Sequence, residues 1–325
     1  MPLIDSKKSF RSPIWLPEKH SQSIFPSLFR KVDISEPERE RFVLPDADFI
    51  DLDWYVSGKI GDRPFLILSH GLEGNSTRPY MLGLAKLAIQ SGYDVLAWNY
   101  RSCSGEMNKA RRFYHSGATD DLDAVVQLLI QRGAKEIDLA GFSLGGNLTL
   151  KWLGEKGENP PSGIRKAVVF SVPLHLSSGS QTLMKLGNWI YAKRFLRTLL
   201  VKVQQKMEIY PDLVDLEKLN QIKTLWDFDE VVTGPIHGFD GAEDYYQKSS
   251  SLYYLPSIQV PVLIVNAAND PFLSNECYPK QLVESLDKVF LEIPAEGGHC
   301  GFYPSSYKDF LWSETRGINW LREEV

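Results

Sequence analysis

Short apolar runs rich in β-branched and aromatic residues alternate along this chain with stretches of helical periodicity. Such runs occupy residues 64–69, 93–98, 136–140 and 165–171, and most of them are followed by a turn or by a helical pattern. This alternation is typical of a parallel sheet whose strands are joined by crossover helices. Residues 41–56 hold two apolar stretches around a polar turn, which predicts an antiparallel pair where the chain enters the sheet.

The alternation is interrupted once, over residues 172–256. This stretch carries helical patterns, many aromatic residues and turn signals, but no convincing inner strand. Strands resume at 260–266 and 289–293. Helices are predicted at 77–90, 144–153, 276–286 and 306–323, with a further helix capped by Thr119. We therefore divide the chain into a polar N-terminal arm (1–40), a core (41–171 and 257–325) and a mostly helical cap (172–256), inserted between the sixth and seventh predicted strands.

The composition restricts the possible functions. With 325 residues, 43% of them hydrophobic and 24% charged, the chain can form a globular core. A net charge of −5 argues against nucleic acid as a partner. Three separated cysteines form no CxxC pair, so we expect neither a disulfide framework nor a metal site. No leader and no run of about 18 apolar residues occurs, which predicts a cytoplasmic protein without a transmembrane segment; peripheral contact with lipid stays open.

Gly141, Ser143 and Gly145 form the pattern G-x-S-x-G between a predicted strand and a predicted helix. This is the context that a nucleophile elbow requires. A nucleophile on so sharp a turn adopts strained dihedrals, and glycines two residues away remove the side chains that would collide there. The turn places the Ser143 hydroxyl at a helix N-terminus, where backbone N–H groups favour a developing negative charge. The motif predicts Ser143 as a nucleophile; the alternative is a glycine-rich packing turn.

A serine hydroxyl needs a base, and His299 is the histidine that we favour. It lies in a glycine-rich loop, residues 296–301, after the last predicted strand, where an imidazole can lie over the nucleophile. The remaining histidines fall in the arm, in turns before the nucleophile or in the cap, where structural roles are expected. They are His20, His70, His115, His175 and His237.

Asp270 is predicted to orient the imidazole, because it directly follows the apolar strand at 260–266. The chain order Ser143, Asp270, His299 is the order expected when the nucleophile stands on a G-x-S-x-G elbow. Four other aspartates are rivals for this role. Asp120 and Asp121 better suit a helix N-terminus, and Asp240 and Asp244 lie in the cap.

Two backbone N–H groups are candidates for holding an oxyanion. One belongs to Leu144, directly after the nucleophile, and the other to Leu72, in the glycine turn at 70–74 that follows the strand at 64–69.

Several stretches together resemble the YheT-like branch of the α/β-hydrolases, which also includes yeast medium-chain ester synthase/esterases and eukaryotic membrane-anchored lipid hydrolases. They are HGLEGNSTRPY (70–80), NYRSCSGE (99–106), FYHSGATDDL (113–122), GFSLGGNLTLKWLGE (141–155), FDEVVTGPIHGF (228–239), DYYQKSS (244–250), NDPF (269–272) and GGHCGF (297–302). The resemblance implies the α/β-hydrolase fold, with a mostly parallel sheet flanked by helices. It also implies esterase- or lipase-like activity on carboxylic esters, with Ser143, Asp270 and His299 as the triad.

Two departures from the family pattern stand out. The eukaryotic relatives carry an N-terminal membrane anchor that this chain lacks, so it resembles the soluble bacterial type. Asn269 stands where many relatives have a second aspartate, which leaves Asp270 without an acidic neighbour competing for its role.

The leading hypothesis is hydrolysis of a small-molecule carboxylic ester through an acyl-enzyme, without cofactor or metal. Apolar and aromatic cap residues are candidates for an acyl pocket, which would favour medium or long chains. They are Leu183, Leu186, Trp189, Tyr191, Phe195, Trp226, Phe228, Tyr245 and Tyr246. Two alternatives stay open: an acyltransferase or ester synthase that uses the same acyl-enzyme, and a non-catalytic binding protein on a hydrolase fold. The sequence leaves the oligomeric state undecided.

Overall fold

A mostly parallel sheet forms the centre of the computed structural model, which describes residues 2–4 and 10–323. The strands found in these ranges are β1 (Leu3–Ile4), β2 (Glu38–Val43), β3 (Phe49–Tyr55), β4 (Phe65–Ser69), β5 (Asp94–Asn99), β6 (Ile137–Phe142), β7 (Ile164–Phe170), β8 (Val262–Val265) and β9 (Val289–Glu292). Their order across the sheet is β1-β9-β8-β7-β6-β4-β5-β3-β2. Only the β2–β3 and β3–β5 pairings are antiparallel. The predicted parallel sheet and its antiparallel entry pair are confirmed.

Helices cover both faces of this sheet and also form an insertion between β7 and β8. They are α1 (Lys19–Phe29), α2 (Pro79–Gln90), α3 (Thr119–Gln131), α4 (Leu144–Lys156), α5 (Leu176–Leu183), α6 (Trp189–Ile209), α7 (Leu216–Gln221), α8 (Leu225–Phe228), α9 (Gly234–Ile236), α10 (Ala242–Ser249), α11 (Lys280–Glu284) and α12 (Trp312–Arg322). Phe65 and Ile67 of β4 pack with α3 and α4, whereas Leu66 and Leu68 pack with α2 and α12. Burial on both faces explains why the inner strands are continuous apolar runs.

Helices α5 to α10 lie between β7 and β8, in the stretch where the mostly helical cap was predicted, and we refer to this segment as the cap. In the structure this segment follows the seventh strand and not the sixth, because β1 was not among the predicted strands. The cap has an apolar cluster of its own, in which Val203, Leu219 and Phe228 pack against Phe113 of the core. Lys206 of α6 is fully buried, and its ammonium group donates to backbone and side-chain oxygens in the segment 108–110. Apolar packing and buried hydrogen bonds therefore join the cap to the core.

The N-terminal arm is the largest difference from the sequence prediction. It contains β1, which adds a parallel strand beside β9, and α1, which packs against α2. Helix α1 begins with a capping box, because Glu18 accepts hydrogen bonds from the backbone of Ser21 and Ser21 accepts one in return. Strand β2 also begins within the predicted arm, at Glu38. Pro26 lies inside the helix, which is why the segment resembled an irregular arm.

Four of the predicted helices differ in the structure in their bounds or in their N-cap. Helix α2 begins at Pro79, because proline suits the first helical position. Ala118, not Thr119, is the N-cap of α3, and the Thr119 hydroxyl donates to Glu155 instead. The helix predicted at 276–286 is reduced to α11, which begins after Pro279, and the helix predicted from 306 begins only at Trp312.

Candidate active site

Ser143 occupies the sharp turn between β6 and α4, with φ 54° and ψ −118°. This region is rarely populated by residues that carry a Cβ atom, so the surrounding structure must hold the serine there. A methyl group on Gly141 would collide with the carbonyl of Gly145, and one on Gly145 would collide with the carbonyl of Ser69. Both glycines are therefore needed, because α4 leaves the turn in close contact with the neighbouring strand β4.

Ser143, His299 and Asp270 form one hydrogen-bonded row. His299 Nε2 lies 3.0 Å from Ser143 Oγ, and Nδ1 lies 2.9 and 3.1 Å from the two carboxylate oxygens of Asp270. Ser143 follows β6, Asp270 follows β8 and His299 follows β9, so the carboxyl ends of parallel strands bring the three side chains together. With the imidazole proton on Nδ1, the serine hydroxyl can donate to Nε2.

The charge state of His299 depends on Asp270. Burial alone lowers the pKa of the imidazole, but the adjacent Asp270 carboxylate, together with the side chain of Cys300, outweighs burial and raises that pKa to about 10. The ring of Phe272 stacks on the imidazole, with 4.0 Å between the centroids. The Phe272 backbone N–H also donates to Asp270 Oδ1 at 2.9 Å. One short turn thus supplies both the carboxylate and the surface on which the imidazole rests.

The backbone N–H groups of Leu72 and Leu144 are free of hydrogen-bond partners within the described ranges. The N–H groups on either side of Leu72, those of Gly71 and Glu73, donate to tyrosine hydroxyls at 3.1 and 2.9 Å. A methyl group on Gly71 would lie 3.3 Å from Ser143 Cβ, so this loop passes directly beside the serine. The geometry leaves the two nominated donors available beside the Ser143 hydroxyl.

Glu73, to which the sequence assigned no role, holds this loop against the cap. Its backbone is in the left-handed region, with φ 53°. Lys202 of α6 donates to Glu73 Oε1 at 2.7 Å, and the Tyr114 hydroxyl donates to the same oxygen at 2.7 Å. The Lys202 and Glu73 side chains are 19% and 8% exposed, so solvent screens this ion pair little. The cap thereby helps to position the loop that carries Leu72.

Helix α1 supports the loop that carries His299, a contribution that sequence reasoning missed. The Ser23 hydroxyl accepts a hydrogen bond from the His299 backbone N–H at 2.8 Å. Gln22 Oε1 accepts from Gly297 N–H at 3.1 Å and from the Asn269 side-chain amide at 2.8 Å. The Asn269 side-chain oxygen in turn accepts from the backbone N–H at position 298. An asparagine can donate and accept here, whereas an ionised aspartate could only accept.

The rival aspartates have other partners. Asp120 accepts from Arg112, and Asp121 is paired with the buried Arg101. Asp244 pairs with Lys248 and accepts from the Asp240 backbone N–H. Among the rival histidines, His70 is fully buried between the Gly71 carbonyl and the Tyr100 N–H, His20 contacts Tyr191, and His175 caps α5.

A cavity of about 590 Å³ opens beside Ser143 and His299. The cap contributes most of its apolar lining: Leu176, Leu183, Tyr191, Phe195, Leu199, Val203, Leu225, Phe228, Val232, Tyr245 and Tyr246. Leu186, Trp189 and Trp226 are solvent-exposed and do not line the cavity, so these three candidates for the pocket wall were wrong. The half-buried Asp229 also lines the cavity, where desolvation raises the pKa of its carboxyl to about 6. His115 and His237 lie at the wall, 4.5 Å apart between ring centroids.

Within residues 2–4 and 10–323, no group of three His, Cys, Asp or Glu side chains is arranged to hold a metal ion. Over the same part of the chain, no helix combines the length and apolar character needed to cross a bilayer.

A family model described as the alpha/beta hydrolase fold matches residues 64–305, and the chain belongs to this family. Within it, the chain is similar to YheT of Escherichia coli (strain K12), with 34% identity over 93% of this chain and 89% of that relative. It is also 28% identical to Phospholipase ABHD3 of Mus musculus, over 91% of this chain and 73% of the relative. The solved structure of the esterase Pf2001 of Pyrococcus furiosus shares the fold, with a TM-score of 0.58, 16% identity and coverage of 90% and 96%. The predicted fold class and the resemblance to the YheT-like branch are confirmed.

Proposed function

We propose that this protein hydrolyses carboxylic esters through an acyl-enzyme formed on Ser143. The observation that carries the proposal is the hydrogen-bonded row from the serine hydroxyl to the buried carboxylate of Asp270, placed at the wall of an apolar cavity. A hydroxyl, an imidazole and a carboxylate in this order are the elements of serine-based acyl transfer. Relatives named as an esterase and a phospholipase support the same class of reaction.

In the proposed reaction, neutral His299 accepts the proton of Ser143 as the hydroxyl oxygen attacks the ester carbonyl. The Asp270 carboxylate stabilises the resulting imidazolium. The negative charge that develops on the carbonyl oxygen is held by the N–H groups of Leu72 and Leu144, each of which would contribute about 3–4 kcal/mol to the stability of the transition state. The imidazolium then protonates the leaving alcohol. A water molecule repeats the sequence on the acyl-enzyme and restores the free serine.

The cavity favours substrates with an extended apolar acyl group. Its volume of about 590 Å³ is within the range of sites that enclose most of a small ligand, and leucine, valine, phenylalanine and tyrosine side chains dominate its lining. Burial of each additional methylene contributes about 0.8 kcal/mol. We therefore propose medium-chain or lipid-like esters as the substrate class.

An activity-based probe and an ester series test this proposal together. A fluorophosphonate probe should label the wild-type protein and fail to label Ser143→Ala. Ser116→Ala is the matched control, because Ser116 also lines the cavity and should leave labelling intact. With p-nitrophenyl esters, kcat/KM should rise as the acyl chain is lengthened from acetate to medium chains. Equal labelling of Ser143→Ala and wild type would contradict the proposal.

A further inference from the structure

The cap segment at the mouth of the cavity is basic, although the whole chain has a net charge of −5. No aspartate or glutamate occurs in residues 171–207, while Lys185, Lys193, Arg194 and Arg197 all lie there with exposed side chains. Residues 14–29, which include α1, are close to neutral, with Glu18 beside Lys19. Glu18, at the start of α1, has its carboxylate engaged in capping the helix. The exposed cations of the cap segment that leads into and forms α6 therefore attract anions.

Residues 14–29 and 184–201 together carry an unusual amount of exposed apolar surface. Ten of the sixteen most exposed large apolar side chains in the described part of the protein lie within residues 14–29 and 184–201. Ile14 is 95% exposed and Leu186 is 89% exposed, and Trp189 and Ile190 at the start of α6 are more than half exposed. Concentrated exposed apolar surface marks a site of interaction, because single exposed residues would otherwise be scattered.

The exposed residues of α1 and α6 meet at the opening of the cavity. Ile24 and Leu28 of α1 and Ile190 and Arg194 of α6 are all exposed and all line the cavity, so the cavity opens between these helices. The two helices touch through His20 and Tyr191, whose ring nitrogen and hydroxyl lie 3.1 Å apart. We name the exposed residues of 14–29 and 184–197 the mouth face.

On α6, apolar and cationic side chains occupy one side of the helix. Trp189, Lys193 and Arg197 follow each other at intervals of four residues, and the Lys193 ammonium lies 5.7 Å from the centroid of the Trp189 ring. Tryptophan, leucine and isoleucine beside lysine and arginine are typical of segments that lie in the interface of an anionic membrane. A nucleic acid would match the cations but would leave the bulky aliphatic side chains in water.

We propose that the mouth face docks this protein on the surface of an anionic phospholipid bilayer. The apolar side chains enter the interfacial layer, and the lysines and arginines contact the anionic headgroups. In this orientation the cavity opens toward the lipid, so a lipid-like ester could reach Ser143 without crossing bulk water. The docking itself needs no catalysis, and its test is therefore independent of the proposed hydrolysis.

The test uses the full chain carrying Ser143→Ala, so that vesicles stay intact. Co-sedimentation is measured with phosphatidylcholine vesicles that contain or lack phosphatidylglycerol, at about 0.1 M salt, where charge attraction still acts over ~10 Å. The protein should bind the anionic vesicles and bind the zwitterionic ones far more weakly. Lys193→Gln with Arg197→Gln should weaken binding about 25-fold, since each cation contributes about fivefold. Leu186→Ser with Trp189→Ser should weaken it about tenfold or more, because neither side chain would then insert.

Val43→Ser with Leu216→Ser is the matched control, since both side chains are exposed to the same degree as the mouth-face residues and both lie outside it. This control should bind like the parent, and circular dichroism should show that every variant is folded. The proposal is refuted if the protein does not bind the anionic vesicles. It is refuted as well if the control variant and Leu186→Ser with Trp189→Ser lose vesicle binding to the same extent. It is also refuted if only the charge variant loses binding, because that result would show contact with any polyanion.

Discussion

Replacing Asp270 by asparagine removes one negative charge from the centre of the proposed triad and keeps the shape of the side chain. The carboxylate has no exposed surface and lies 2.9 Å from His299 Nδ1. For opposite charges centred about 4 Å apart, an effective dielectric of 20 gives about 4 kcal/mol of stabilisation for the imidazolium. That energy corresponds to about 10³ in rate. Loss of the correct tautomer adds to it, so we expect kcat to fall by about 10³–10⁴.

The assay is hydrolysis of a p-nitrophenyl ester at several pH values, with the concentration of active protein obtained from fluorophosphonate labelling at long incubation. Asp240→Asn is the matched control and should retain wild-type kcat, because Asp240 lies in the cap, away from the imidazole. Both variants should stay folded, since asparagine can still accept the hydrogen bond from the Phe272 N–H, but Asp270→Asn should unfold at a lower temperature than wild type because it loses the charge pair with His299. A kcat for Asp270→Asn within tenfold of wild type would refute the assignment.

Three other predictions follow from the same geometry. Asp270 raises the pKa of His299 to about 10, and only the neutral imidazole can accept a proton, so kcat/KM should increase with pH above 7. A pH–rate profile that reaches its plateau by pH 6 would contradict the raised pKa. Gln22→Ala leaves the Asn269 side-chain amide and the Gly297 N–H without their acceptor, so it should lower the free energy of unfolding, measured by urea titration, by about 1–3 kcal/mol. Replacing the exposed Gln181 by alanine should not change the free energy of unfolding. Lys202→Met leaves the Glu73 carboxylate without its cationic partner in the loop that carries Leu72, so kcat should fall about tenfold with KM little changed. A change confined to KM would assign Lys202 to substrate binding instead.

The core of the fold could be predicted because the burial of each inner strand is visible in its own short run of residues. Inner strands of a parallel sheet are buried on both faces, so β4 to β8 each appear as an apolar run of the right length. The G-x-S-x-G pattern indicates a strand-to-helix turn by steric exclusion alone. Asp270 and His299 could be proposed because each follows a predicted strand, and the carboxyl ends of parallel strands lie at one edge of a sheet.

The loop that carries Leu72 and the pocket wall could be predicted only in part. The glycine turn at 70–74 drew attention to Leu72, but no local pattern indicated that Glu73 would pair with Lys202, because 129 positions separate them. In the cap, helical periodicity identified apolar residues without showing which of them face the cavity. Leu186 and Trp189 therefore looked equivalent to Leu183 and Tyr191, although the first two are exposed.

The sequence by itself determined the class of fold, the strained serine turn and the chemical identity of the three side chains, because steric and hydrophobic constraints on neighbouring residues are enough for each. Only the tertiary structure decided that the supposed arm is a helix whose Gln22 and Ser23 hold the His299 loop. The reason is that a helix of 11 residues with an internal proline has little intrinsic stability, so its existence depends on contacts with residues more than 240 positions away. Such contacts leave no periodic signal in the sequence.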